Sequence, residues 1–343
     1  MTAPRLTICI PSFNRNTKIK KLIKSILKQL NLFKIKINII VLDNCSPRSY
    51  LKSFQKDKLI LSAMKTEILK IHRNIANIGM PANFLKAFES TKSEWLWIVS
   101  DDDIILPNAI KIISEKLNSV PKKIGVIKFT QSNIKYFTKY KLINSLEKFI
   151  DFNVISKNNF YDFIFISNSL YRVNSFRKNL NTGYQNSHTY IPHFFMITEF
   201  IKKGGSVLNL NTEVIKYQIP KINYSYGLVC GLGVGGIKYI DLNLNKNYEK
   251  KYYKIFYPYN DYKVLIDLFY LTKKKSNFNY EYYVQNYINY VSIARNPMQI
   301  MFLAIFIKIV KIKPLFTLLL KIALKISNTF KIHHEEIKKK YSF

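Results

Sequence analysis

Five short apolar runs, separated by helical patterns, each break off into polar residues, and this alternation constrains the fold more than any other feature. Residues 6–10 stop at Pro11-Ser12, and 37–42 run into Asp43-Asn44. Residues 67–71 lead to Arg73-Asn74, 95–99 lead to Ser100-Asp101-Asp102-Asp103, and 124–129 form the fifth run. Between the first two, Ile19, Leu22, Ile23, Ile26, Leu27 and Leu30 make one apolar stripe at helical spacing, with lysines on the other face. Asn16 or Thr17 is placed to cap that helix. Pro81 opens a short helix through Phe84, Leu85 and Phe88, and Ile110, Ile113 and Leu117 mark another, closed before Pro121. Strands alternating with helices imply an α/β fold: a mostly parallel sheet with helices on both faces. Ligands of such sheets bind beyond the carboxyl ends of the strands. Asn14-Arg15, Asp43-Asn44, Arg73-Asn74 and the aspartate triplet should therefore converge on one edge.

The triplet carries the sharpest chemical signal. Carboxylates stacked where a hydrophobic strand ends repel one another unless a cation or a proton relieves them. Hard divalent ions bind through one or two carboxylates and complete their shell with water and substrate phosphates. The cluster thus points to a metal that holds a diphosphate. An aspartate N-cap for the helix after Pro107 is the plainer alternative, but one aspartate would serve it.

Residues 135–240 are less regular. A strand is expected over 163–166 and a helix over 193–203, ending at Gly204-Gly205. Gly227, Gly231, Gly233, Gly235 and Gly236 lack the strand-then-helix context of a phosphate loop, so a surface loop serving as a lid is expected. Beyond 240 the chain is rich in Tyr, Asn and Lys and reads as helical. The apolar runs 300–307 and 315–320, interleaved with Lys308, Lys311, Lys313, Lys321 and Lys325, fall short of the roughly 20 residues a bilayer crossing takes. They fit a helical appendage whose basic amphipathic helices lie on an anionic membrane surface, against the alternative of packing on the main domain. The expected layout is a domain over 1–240, with halves 1–130 and 131–240, and an appendage over 241–343.

The formal net charge of +33 agrees with polyanionic partners, although AT-rich codon usage inflates lysine along with Asn, Ile, Phe and Tyr. Cys9, Cys45 and Cys230 have neither metal-ligand nor disulfide spacing, and the first apolar run is too short for a secretory leader. Both readings suit a reducing cytoplasm.

Pro11-Ser12-Phe13-Asn14-Arg15 resembles the Pro-x-Tyr/Phe-Asn-Arg opening of family 2 glycosyltransferases of the GT-A (Rossmann-like) fold. Residues 39–46, ending Asp43-Asn44-Cys45-Ser46, are similar to that family's second strand. Arg73-Asn74 through Asn77-Ile78-Gly79 and Asn83 look like its Arg-Asn-x-Gly-Asn segment, and the aspartates match its metal motif. The matches run in order over about the first 110 residues. The resemblance implies an inverting transferase that takes a sugar from a nucleotide-sugar donor, UDP- or dTDP-linked, with Mn²⁺ or Mg²⁺. Its acceptor would be a glycan of a cell-surface polysaccharide, a lipopolysaccharide or a lipid-linked oligosaccharide. The enzyme would then be cytoplasmic and peripheral on the inner face of the plasma membrane. Donor contacts fall on Pro11, Ser12, Phe13, Asn14, Arg15, Asp43, Arg73, Asn77, Gly79 and Asp101, with Asp43 suited to a pyrimidine imide N–H. Asp102 is the first metal ligand, with Asp103 and Asp101 beside it, and Asp103 could instead cap a helix. Counting back from Gly204 places the family's catalytic aspartate on His193, where imidazole could act as general base. His188, Asp162 and Glu199 are alternatives. Two rivals stand beside this reading: a basic nucleic-acid or anionic-membrane binder without catalysis, and a sugar nucleotidyltransferase. The first lacks any recognised nucleic-acid motif, so no nucleic-acid partner is expected. The second lacks glycine after the first strand.

Overall fold

The computed structural model describes residues 4–130, 140–216 and 244–256, together with positions 301, 305, 312, 314, 318 and 321. The chain divides into a unit over Met1–Asn223 and another over Tyr224–Phe343. The Gly-rich stretch, the expected boundary at 240 and most of the basic tail lie outside the described residues.

In chain order the first unit contains β1 (Leu6–Ser12), α1 (Asn16–Phe33), β2 (Asn38–Asp43), α2 (Tyr50–Phe54), α3 (Lys58–Lys65), β3 (Leu69–Arg73), α4 (Met80–Ser90), β4 (Trp95–Ile98) and β5 (Ile104–Ile105). Then come α5 (Ala109–Asn118), β6 (Ile124–Phe129), β7 (Leu142–Ile143), α6 (Leu146–Ile155), α7 (Lys157–Ile164), β8 (Ser169–Arg172), α8 (Val173–Arg177), α9 (Leu180–Gln185), α10 (Pro192–Lys202), β9 (Ser206–Leu210) and β10 (Ile215–Lys216). An eight-stranded sheet takes the order β3-β2-β1-β4-β8-β6-β9-β7, and β10 pairs with β5 in a small second sheet. β1, β2, β3 and β4 are parallel; β8 runs against both β4 and β6, and β9 is parallel to β6. The carboxyl ends of β1, β2, β3, β4 and β6 therefore share one edge. The second unit includes a helix over Lys246–Phe256 that buries Tyr252 and Ile255.

Helical spacing in α1 places Ile19, Leu22, Ile23, Ile26, Leu27 and Leu30 on its buried face, as the stripe predicts. Gln29 is buried with them because it has polar work there: its amide donates to the Leu106 carbonyl and accepts from the Ile110 N–H. The helix has no side-chain cap. Asn16 is its first residue and accepts from the Ser53 hydroxyl instead, which corrects the capping expectation.

Two strand expectations also move. β3 starts at Leu69, after Glu67 turns through a left-handed φ of 57°. The strand expected over 163–166 is instead the end of α7 and a turn, and β8 follows at Ser169. Apolar periodicity alone does not separate a buried helix end from a short strand. The packing energetics are checkable at Ile26, which has no exposed surface. Ile26→Ala should cost about 2–5 kcal/mol of unfolding free energy, measured by denaturant titration.

Candidate active site

The aspartate triplet sits between three strand ends, and each carboxylate meets a different environment. Asp101 is 4% exposed. A directed chain reaches it: the Arg15 backbone N–H donates to the Tyr50 hydroxyl (3.0 Å), which pairs with Ser12 Oγ (2.7 Å), which donates to Asp101 Oδ2 (2.5 Å). Arg15 Nη1 also donates to Asp101 Oδ1 (2.8 Å) and to Asp102 Oδ2 (2.7 Å), and Lys18 Nζ lies 3.5 Å from Asp102. Burial still holds the Asp101 carboxyl above the ordinary range, against the pull of Ser12 and Arg15. Asp102 is the partly exposed member.

Asp103 is 8% exposed. Its backbone N–H donates to the Ser100 carbonyl, and Oδ2 is buried without a hydrogen-bond partner. Burial pushes its pKa up to about 7, opposed by Ser167 and reinforced by the charges of Asp102 and Asp101. It caps no helix; α5 starts behind Asn108, in the left-handed region at φ 65°. Among the described residues, no three His, Cys, Asp or Glu side chains converge as a metal site. Ser12 and Arg15 engage Asp101, which leaves Asp102, the expected first ligand, as the accessible carboxylate of the three. A partly exposed carboxylate beside an orphaned buried carboxylate oxygen does fit an ion held by one or two aspartates and completed by phosphate oxygens.

The second strand end is built around Asp43, which has no exposed surface. Its Oδ1 accepts from the Ser46 N–H (2.9 Å) and its Oδ2 from Arg73 Nη1 (2.6 Å), while Arg73 Nη2 donates to the Ser46 carbonyl (2.8 Å). Covered this way, Asp43 does not present a free acceptor to a base imide. It instead orients Arg73, whose side chain is 39% exposed. The turn after β1 is pinned to the same loop: Asn14 takes φ 55° and its N–H donates to Ser46 Oγ (2.9 Å). Pro11 lies within β1 opposite Leu42, and Phe13 is exposed beside the turn.

An asparagine network ties the third strand end to the second. Asn74 donates to the side-chain oxygens of Asn44 and Asn83, and Lys86 donates to Asn74. Asn83 donates to the Leu42 carbonyl. Asn44 donates to Asn77 and accepts from the Ile78 N–H, and Asn77 accepts from the Gly79 N–H, where φ is +80°. Asn77 and Gly79 thus build the loop that flanks the site. Asn44, Asn83, Tyr50 and Ser167 were not singled out as site residues from the sequence. The position of Asn44 and Asn83 beside matched motif residues was the available signal. Tyr50 and Ser167 carried none.

The acceptor side departs from expectation at His193. It lies in the first turn of α10, 2% exposed, and Nε2 donates to the Ile164 carbonyl (2.9 Å). Burial and the nearby Lys128 charge push its pKa down to about 3. An enclosed imidazole whose donor is already engaged does not suit a group that must reach an acceptor hydroxyl, so the expectation of a base at His193 is corrected. Asp162 is buried, with Oδ1 bonded by Asn168, and Glu199 pairs with Lys203 one turn along α10. His188 is exposed, on the turn Ser187–Thr189.

A family model described as glycosyl transferase family 2 matches residues 7–203. The chain belongs to glycosyl transferase family 2. Membership places it among enzymes that transfer sugars, and the sheet and its flanking helices are the GT-A fold. A stretch of 116 residues is 27% identical to the abequosyltransferase RfbV of Salmonella typhimurium (strain LT2), covering 33% of each chain. An uncharacterized glycosyltransferase of Haemophilus influenzae is 22% identical over 116 residues, 34% of this chain and 35% of that one. The chain spans between 33% and 42% of the length of the curated relatives it matches. Among solved structures, S. aureus TarS aligns over 85% of this family 2 chain and 49% of its own, with a TM-score of 0.53 and 12% identity. TarS 1-349 in complex with UDP aligns over 87% and 83%, with a TM-score of 0.50 and 13% identity. This likeness is one of fold.

The depressed imidazole makes stability depend on acid. In the unfolded chain the His193 ring takes up its proton near pH 6.5, but in the folded chain only near pH 3. Its contribution is therefore whole above the first value and is lost as pH falls toward the second. His193→Gln, which keeps a side-chain N–H for the Ile164 carbonyl, should flatten that acid limb in thermal unfolding followed from about pH 7 to about pH 4.

Proposed function

We propose that this family 2 chain moves a sugar from a pyrimidine nucleotide-sugar, UDP- or dTDP-linked, to a glycan acceptor, with inversion at the anomeric carbon. One observation carries the reading: Arg73, aimed by Asp43, and the Arg15–Asp101–Asp102 cluster occupy neighbouring strand ends of one edge. That arrangement offers a planar cation to a base or ribose and paired charges to a diphosphate. Phe13, exposed at the same turn, offers an apolar face to the base. When bound, a divalent ion, Mn²⁺ or Mg²⁺, on Asp102 with Asp103 or Asp101 would neutralise charge on the leaving diphosphate. Arg15 and Lys18 already stand beside Asp102 and would grip the same phosphates. Of the residues weighed as general base, His188 is the exposed histidine and is assigned that role here.

The acceptor is read as a lipid-linked glycan or lipopolysaccharide at the cytoplasmic face of the plasma membrane. Support for the membrane comes from the tail. Met301, Ile305, Ile312 and Leu318 expose apolar side chains there, in a lysine-rich stretch. Among the described residues no helix is long and apolar enough to cross a membrane.

Two measurements test the reading. Thermal shift with UDP- and dTDP-sugars should rise only when Mn²⁺ or Mg²⁺ accompanies the nucleotide, since ligands of the folded state stabilise it. Sugar transfer by Asp102→Ala should fall by about 10²–10³-fold with the fold intact. Undiminished transfer in that variant, or in the presence of excess chelator, would exclude a metal-held diphosphate. Separately, liposome flotation should show binding to anionic vesicles that weakens as salt rises.

A further inference from the structure

Behind the aspartate triplet, the turn at residues 166–168 is fastened from several sides by buried groups that take no part in the donor contacts. Lys128, 1% exposed near the end of β6, donates to the Phe165 carbonyl (3.1 Å) and to Ser169 Oγ (3.2 Å). His193 donates to the Ile164 carbonyl, and Asn168 donates to Asp162 Oδ1 (2.9 Å). A fully buried lysine beside a buried histidine is electrostatically unfavourable, since burial lowers the Lys128 pKa to about 8. Greasy side chains of similar size would fill that volume without the penalty. What the polar groups do, and apolar ones could not, is hold the Ile164 and Phe165 carbonyls and Ser169 Oγ, on either side of that turn.

The turn presents Ser167 to the metal loop. The Trp97 Nε1–H donates to the Ser167 carbonyl (2.7 Å), and the Ser100 backbone N–H donates to Ser167 Oγ (3.0 Å). The Ser100 carbonyl in turn accepts from the Asp103 N–H (3.1 Å), so the turn that carries the triplet hangs from Ser167, whose hydroxyl also acts on the Asp103 carboxyl. A backbone N–H only donates, so Ser167 Oγ accepts from Ser100 and keeps its own proton for a neighbouring acceptor. One hydroxyl with no exposed surface thus fixes both the start of the triplet and its last member.

We infer that Ser167 is the positioning residue of the triplet: it holds the Ser100–Asp103 turn and so aims the Asp103 carboxyl, and Lys128, near the end of β6, fastens the residues on either side of Ser167. Partners in the second layer around a metal ligand orient it, and their loss weakens metal binding by about 10–100-fold. The inference rests on the proposed metal-held diphosphate.

The test is Mn²⁺ affinity in the presence of UDP, read by electron paramagnetic resonance of the free ion on the full chain, with unfolding temperature measured alongside. Ser167→Ala should weaken Mn²⁺ about 10-fold while the protein still unfolds cooperatively. Ser167→Cys, which keeps the volume but is a weak donor, should fall between it and the wild type. Lys128→Met should shift affinity the same way by a smaller factor. If the wild type binds Mn²⁺ with UDP and both Ser167 variants match it, the positioning role is wrong and the metal reading stands. Variants that lose only unfolding temperature, at unchanged Mn²⁺ affinity, overturn it equally. A wild type that binds no Mn²⁺ with UDP removes the metal reading, and this inference with it.

Discussion

Three adjacent carboxylates at the dry end of a strand cannot all keep their charge without partners, and the site is organised by how each is satisfied. Asp101 is met by a hydroxyl chain and a guanidinium, Asp102 by that guanidinium, a lysine and solvent, and Asp103 by a single serine. Burial is the term common to Asp101 and Asp103, and partners decide how far it acts. Each partner lies on a different segment: the end of β1, the first turn of α1, and the turn before β8. The loop after β4 is therefore tied both to the first strand and helix and to the segment before β8.

Neutral hydrogen bonds do similar work at the neighbouring strand ends. Asn44, Asn74, Asn77 and Asn83 link the loops after β2 and β3 to α4, with Lys86 on the network. Amides donate and accept at once, so a few of them satisfy many backbone groups in little space. The charged pair Asp43–Arg73 sits against this frame. A side chain that reads a ligand must be held in one rotamer, and here the holding falls to residues the ligand need never touch.

The first 130 residues were legible because their signals are local. Apolar runs with polar ends gave β1, β2, β4 and β6, and the six-residue stripe gave α1, since periodicity reports burial directly. Polar residues that follow strands converge because parallel topology leaves them no other edge. The segment beyond residue 130 was less legible because its determinants are non-local. β8 enters antiparallel between β4 and β6, a placement no window around Ser169 announces. His193 occupies the expected position on the expected helix, yet β6 brings Lys128 close and the 164–169 segment covers the ring. Spacing locates a residue along the chain and is silent about what is laid over it. Asp43 shows the same limit, since its covering by Arg73 depends on strand register rather than on sequence distance.

The guanidinium shared by Asp101 and Asp102 bears on how ligands can enter. Two negative side chains there are already matched by two positive ones, Arg15 and Lys18. A lone incoming ion of either sign would upset that balance. A cation and an anion entering as a pair would preserve it, with the arginine handed from its carboxylates to the newcomer's oxygens.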